Sequence, residues 1–198
     1  MKLVFASNNK HKLEEVRAIL TGHEVLSLKD IGFIDEIDET GDTLEANSSI
    51  KAEAVRTFLD AHPTAFAIDG IFSDDTGLEI RALGGQPGVR TARWAGEPAV
   101  DGNNRAKALR ELAGQEDRRA RFRTVITLIR DGKEQQVEGV VPGRIAEKEE
   151  GDGGFGYDPI FIPEGYDQTF AQLPAEIKNT ISHRARAMEA LRHLIENQ

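Results

Sequence analysis

The chain has 198 residues, with 39% hydrophobic and 30% charged, which excludes a disordered chain and suffices for one sizeable domain. It has no cysteine, so disulfides and thiolate chemistry are excluded. A net charge of −9 argues against a long nucleic-acid partner, and no apolar stretch suits a signal peptide or a bilayer span, so a soluble cytoplasmic protein with no membrane association is expected.

Taken in order, "KLVFAS" (2–7) reads as a strand. "KHKLEEVRAIL" (10–20) places Leu13, Val16, Ile19 and Leu20 at helical spacing, and Gly22 stops it. "EVLSL" (24–28) is a second strand, followed by an acidic connection over 30–42. "TLEANSSIKAEAVRTFLDAH" (43–62) predicts a long helix capped by Thr43 and followed by Pro63. "AFAIDGIFS" (65–73) is strand-like with a break at Gly70, and runs into "DDTGLEI" (74–80). A glycine- and proline-punctuated loop covers 82–98, and a helix capped by Asp101 covers 101–112. "RARFRTVITLIR" (119–130) and "EQQVEGVVPGRI" (134–145), joined by "DGK", give the strongest hairpin signal. A glycine loop leads to strand "IFIP" (160–163), and the C-terminus from Pro174 to Asn197 is helical. Early βα units with a later antiparallel hairpin predict a mixed α/β fold, one domain over 1–198 whose lobes are not separable by sequence.

Four stretches could carry chemistry. "SNNKHK" (7–12) lies where a strand ends and a helix begins, a place that attracts anions; Ser7, Asn8, Asn9, Lys10, His11 and Lys12 are candidate phosphate binders. The plain alternative is a helix cap with solvent-facing lysines. "SDDTG" (73–77) puts Asp74 and Asp75 at a strand end, where a carboxylate suits Mg²⁺. Neighbouring strand residues face opposite ways, so the two share a ligand only if the chain turns, and Thr76–Gly77 predicts that turn. Glu39 is the best upstream carboxylate partner; the alternative is a metal-free turn and a solvated surface charge.

In the C-terminal stretch, Ile177, Ile181, Ala185, Met188, Leu191 and Ile195 form one helical stripe, read as core. In one unbroken helix His183 and Arg184 would lie about 140° and 240° around from Lys178. A break near 179–182, with Ser182 capping a new helix, would let all three converge. The fourth stretch is "GFGYDPIF" (154–161). Its glycines let backbone approach a ligand, Phe155 or Tyr157 could stack on a base, and Asp158 could accept hydrogen bonds; the alternative is a packed turn.

Taken together, "SNNKHK", "ETG", "SDDTGLEI", "GGQPGVRTARWAG", "GGFGYDPIF" and "EIKNTISHR" resemble the inosine triphosphate pyrophosphatase family from residue 3 to about 192. The resemblance implies hydrolysis of the non-standard purine triphosphates ITP, dITP and XTP to monophosphate and pyrophosphate with Mg²⁺, cleansing the nucleotide pool. It implies an elongated mixed-sheet α/β fold, two lobes around a central cleft, and a homodimer. Carried over residue by residue, it implies that Ser7 to Lys12 hold phosphate and that Asp75 is proton acceptor and metal ligand. Glu39 becomes a second metal contact, and Thr76 touches substrate. Phe155, Gly156, Tyr157 and Asp158 take the base, with Lys178, His183 and Arg184 completing the site. Either His183–Arg184 or the backbone of 155–158 would read the purine O6. The stretch between Lys51 and Asp74 is longer than the family pattern. A pyrophosphatase for other triphosphates and a non-catalytic nucleotide sensor are the rival readings.

Overall fold

The computed structural model describes residues 1–62 and 67–197. The position of Pro63, the strand reading of 65–66 and part of the long segment before Asp74 lie outside the described residues. Strands β1 (Lys2–Phe5), β2 (Glu24–Leu26), β3 (Gly70–Ile80), β4 (Pro87–Gly88), β5 (Arg119–Arg130), β6 (Lys133–Ile145) and β7 (Phe161–Pro163) share one sheet of order β2-β1-β3-β5-β6-β7, with β4 paired to β3. The helices are α1 (Lys10–Ile19), α2 (Leu44–Ala61), α3 (Asp101–Glu111), α4 (Ala175–Ile181) and α5 (His183–Glu196). The mixed α/β expectation holds. Among the described residues no helix is long and apolar enough to cross a membrane.

The chain forms two compact units: unit 1 is Met1–Asp75, Thr124–Gly139 and Ala185–Gln198, and unit 2 is Thr76–Arg123 and Val140–Arg184. In unit 1, β1 pairs in parallel with β2 (Leu3 opposite Val25) and with β3 (Val4 opposite Ile71). Strand alternation sorts this sheet into two apolar faces. Leu3, Phe5 and Phe72 pack with Leu13, Val16 and Leu20 of α1 and its C-terminus, and with Ala187, Met188, Leu191 and Ile195 of α5. Val4, Ala6 and Ile71 pack with Val55 of α2 and with Leu28, Ile31 and Phe33. Thr43 caps α2 as expected, its hydroxyl accepting from Ala46 N–H at 3.1 Å. The β5–β6 turn is Asp131–Gly132, both left-handed (φ 51° and 72°), the two-residue loop that suits hairpin twist.

Unit 2 is built on one cluster in which Phe122, Tyr157, Phe161, Phe170 and Trp94 pack with Leu78, Ile80, Leu112 and Ile145. Phe122 and Phe161 meet edge-on at 4.7 Å.

Four expectations need correction. First, Thr76–Gly77 makes no turn: β3 is unbroken from Gly70 to Ile80, since Leu78 and Glu79 pair with Gly88 and Pro87, and Leu78 N–H donates to Thr91 Oγ1 at 2.8 Å. Ladder pairing outweighs the local turn preference. Second, Gly70 opens β3 opposite Leu3 rather than breaking it. Third, Asp101 is not the cap of α3. Val100 holds that position, and Asp101 is the first helical residue. Fourth, Ile177 is 38% exposed: α4 buries Lys178 and meets the core through Ile181, which is partly buried against the unit 2 cluster. The expected break is present: Ser182 is extended (φ −65°, ψ 157°) between α4 and α5.

Candidate active site

In unit 1 the loop after β1 feeds α1. Asn9 is the N-cap, its side chain accepting from Lys12 N–H at 3.1 Å, and Asn9 N–H donates to Ser7 Oγ at 3.1 Å. Asn8 Oδ1 accepts from Lys29 N–H at 2.9 Å. Ser7 is half-buried, whereas Asn8, Asn9, Lys10 and His11 are exposed, and Lys10 lies a loose 4.0 Å from Glu14. The cap reading therefore describes Asn9 and Lys10. It does not describe Lys12, whose ammonium donates to Asp74 Oδ1 at 2.8 Å.

The unbroken β3 decides how the aspartates are used. Phe72 and Asp74 lie on the α1 side, and Ile71, Ser73 and Asp75 on the α2 side. Asp74 accordingly meets Lys12 of α1, while Asp75 Oδ1 accepts from Lys51 Nζ of α2 at 3.1 Å. Lys51 Nζ also lies 3.5 Å from Glu39 Oε2. Lys51 is the residue that sequence reasoning missed. Leu44, Ser48, Ala52 and Val55 form the buried stripe of α2, and a lysine in the middle of such a stripe was the available signal.

Hydroxyl groups fix α2 at this point. Ser73 Oγ donates to Ser48 O, Ser48 Oγ and Ser73 Oγ are 3.0 Å apart, and Thr127 Oγ1 donates to Ser48 Oγ at 2.9 Å. Gln136 Nε2 reaches Thr127 Oγ1, Ser49 Oγ and Glu45 O, each at 3.0 Å.

Charge is uneven here. Asp74, Asp75 and Glu39 face two lysines. Burial pushes the Asp75 carboxyl above its ordinary value, Lys51 opposes this, and Glu39 adds to it. Burial alone would lower the Lys51 ammonium, but Asp75, then Asp74 and Glu39, hold it above its usual range. Asp75 Oδ2 is buried without a hydrogen-bond partner. A buried, unpartnered carboxylate oxygen beside a second carboxylate fits a hard divalent cation. Among the described residues no three His, Cys, Asp or Glu side chains cluster into a metal cage, so such an ion would need further oxygens from water or substrate.

Unit 2 carries the other candidates. Asp158 is the hub of the glycine loop: its Oδ2 accepts from Phe155 N–H at 2.9 Å and from Lys178 Nζ at 2.6 Å. Gly154 is left-handed (φ 71°), and a Cβ there would strike the Asp158 carboxylate. Lys178 Nζ sits 4.8 Å from the centre of the Phe155 ring, and the Arg184 guanidinium 5.9 Å from it. Phe155, Asp158, Lys178 and Arg184 are thus brought together. His183 is buried with its ring stacked on Phe122 at 4.6 Å. Tyr157 faces the core and donates to Thr91 O at 2.9 Å, and Trp94 is also buried, so Phe155 is the half-buried ring of the loop. Thr76 is half-buried on β3.

The Ham1 family matches residues 3–194. The chain is 47% identical over 196 residues to a dITP/XTP pyrophosphatase of Flavobacterium johnsoniae, covering 98% of each. It is 46% identical over 198 residues to a dITP/XTP pyrophosphatase of Bacillus subtilis, covering 98% of this chain and 96% of that one. The solved Ham1 protein of Staphylococcus aureus superposes with a TM-score of 0.89 at 37% identity, covering 100% of this chain and 99% of that one. With that coverage at both the sequence and the fold level, the chain belongs to the Ham1 family.

Proposed function

We propose that the protein hydrolyses ITP, dITP and XTP to the nucleoside monophosphate and pyrophosphate. The full-length relatives named for that activity support the substrate class. The observation that carries the chemistry is Asp75, a buried carboxylate with an unpartnered oxygen and a raised affinity for a proton, held by Lys51 and flanked by Glu39. Those properties suit a group that must receive a proton from water.

In this reading Asp75 orients a water toward the α-phosphorus. As the new oxygen–phosphorus bond forms, the bridging bond from the α-phosphorus to the oxygen of the β-phosphate breaks. Pyrophosphate leaves with the bond electrons, and the water proton passes to Asp75. A triphosphate carries about four negative charges, which Lys12, Lys51 and the N–H groups of the exposed Asn8 and Lys10 would meet. Mg²⁺, held by Asp75 and Glu39 and completed by phosphate oxygens, would supply the remaining positive charge and acidify the attacking water.

Phe155 offers its ring to the purine, Asp158 and Lys178 offer polar contacts, and His183 with Arg184 completes the set. A donor facing O6 favours hypoxanthine and xanthine over adenine. We take the protein to be a cytoplasmic homodimer acting on free nucleotides. Support for the dimer is the family resemblance, and light scattering at micromolar concentration tests it.

The functional test is steady-state turnover of ITP, XTP, dITP, GTP and ATP with Mg²⁺, tracking pyrophosphate against phosphate. Preferential pyrophosphate release from ITP, XTP and dITP is expected. Release of phosphate alone overturns the reaction assignment, and binding without any product favours a sensor.

A further inference from the structure

The first turn of α3 presents an acid and a base at i and i+4, Asp101 and Arg105, on one face. They do not pair with each other. Gly156 N–H donates to Asp101 Oδ2 at 2.9 Å, and Arg105 Nη1 donates to Gly156 O at 2.8 Å. Arg105 is held in turn from behind, its Nε lying 3.0 Å from Glu149 Oε1, with its side chain only 18% exposed. Both polar groups of one residue in the glycine loop are therefore gripped by one helix. That residue is left-handed (φ 60°) and open at its Cβ position, so local packing does not fix it.

We propose that Asp101 and Arg105 are positioning residues that clamp the backbone of Gly156 and thereby set where the Phe155 ring meets the purine. The inference rests on the reading of Phe155 as the base-stacking ring. Phe155 is tied on its other side through its own N–H to Asp158, and Tyr157 is tied to Thr91. The clamp adds its restraints on the peptide units that flank Gly156 to the bond that Phe155 O accepts from Asp158 N–H at 3.1 Å. With it gone, the ring is held less firmly over the base, so the loss falls on substrate affinity. The hydrolytic groups of unit 1 do not depend on it. Burial, and after it the nearby Asp101 charge, raise the Tyr157 phenol well above its ordinary range.

The test uses Arg105→Ala, Arg105→Lys, Asp101→Ala and Asp101→Asn. Losing one charge-assisted hydrogen bond is expected to raise KM for ITP roughly tenfold in Arg105→Ala and Asp101→Ala, with kcat within about threefold of the parent. Asp101→Asn keeps an acceptor oxygen and is expected to stay within about twofold in KM, and Arg105→Lys to recover part of the loss. Amide hydrogen exchange of the free protein gives a readout independent of turnover: Gly156 in Asp101→Ala should exchange at least about tenfold faster while β5 amides stay unchanged. An unchanged KM in both alanine variants, a loss confined to kcat, or unchanged Gly156 exchange overturns the clamp. If the parent protein releases no pyrophosphate from ITP, the functional reading fails instead, and the exchange result alone decides the clamp.

Discussion

Replacing Lys51 by Met shortens the side chain by one heavy atom and removes its charge from a site where only 9% of that side chain is exposed. The ammonium lies 3.1 Å from Asp75 and 3.5 Å from Glu39, and Asp74 also acts on it. Without it, the three carboxylates lose the ammonium they share. Removing one partner of a buried ion pair costs about 3–5 kcal/mol, because the remaining charge is left uncompensated. For a chain of this size each kcal/mol moves Tm by about 2–4 °C, so a fall of about 6–20 °C at pH 7 is expected. The pH dependence has a definite sign. Asp75 already binds its proton more tightly in the folded state than the ordinary carboxyl value of 3.8, and losing Lys51 raises that affinity further. Ionised Asp75 thus penalises folding above its folded pKa, and the penalty disappears as the pH falls through that value toward the unfolded one. The gap in Tm between parent and variant, followed by circular dichroism from pH 8 down to pH 4, should narrow. A Tm change under about 2 °C at pH 7, or a gap that widens in acid, would refute the charge accounting.

Asp75→Asn should fold and lose about 10²–10⁴-fold in kcat, the range for removing a general base, and near-parental pyrophosphate release would remove Asp75 from that role. Phe155→Ala should raise KM for ITP roughly tenfold, from a stacking contribution of about 1–3 kcal/mol per base. An unchanged KM would leave the stacking to another group, which the burial of Tyr157 and Trp94 makes hard to supply. Hydrogen bonds from the Arg119 side chain, then from its N–H, pull the Asp117 carboxyl down to about 2. Its contribution to stability is present above the unfolded value and lost only as the pH falls through about 2; an NMR titration midpoint near 3.8 would show the pair to be open in solution.

Much of the site was legible because it lies on regular elements with strong local signals. Asn9 sits where a cap belongs, and the break before His183 follows from the need of Lys178, His183 and Arg184 to converge, with Ser182 a residue type that can cap a new helix. What was not legible came from pairing between distant segments. Thr76–Gly77 carries a turn preference that β4, only two residues long and placed by the loop after β3, overrides. Asp101 looked like a cap because caps are the common use of aspartate at a helix start, but its carboxylate is committed to a residue 55 positions away. Lys51 was hidden by its own class, since a lysine inside a helix is ordinarily solvated.

The hydroxyl groups under α2 have a bearing on how this protein can change over time. Apolar packing between a helix and a sheet already resists sliding, but a repacked set of side chains can settle at a new offset. Ser48, Ser73 and Thr127 add a directional constraint, since each hydroxyl finds its partner at one offset. Substitutions elsewhere along the helix can then accumulate without carrying the Lys51 ammonium away from Asp75.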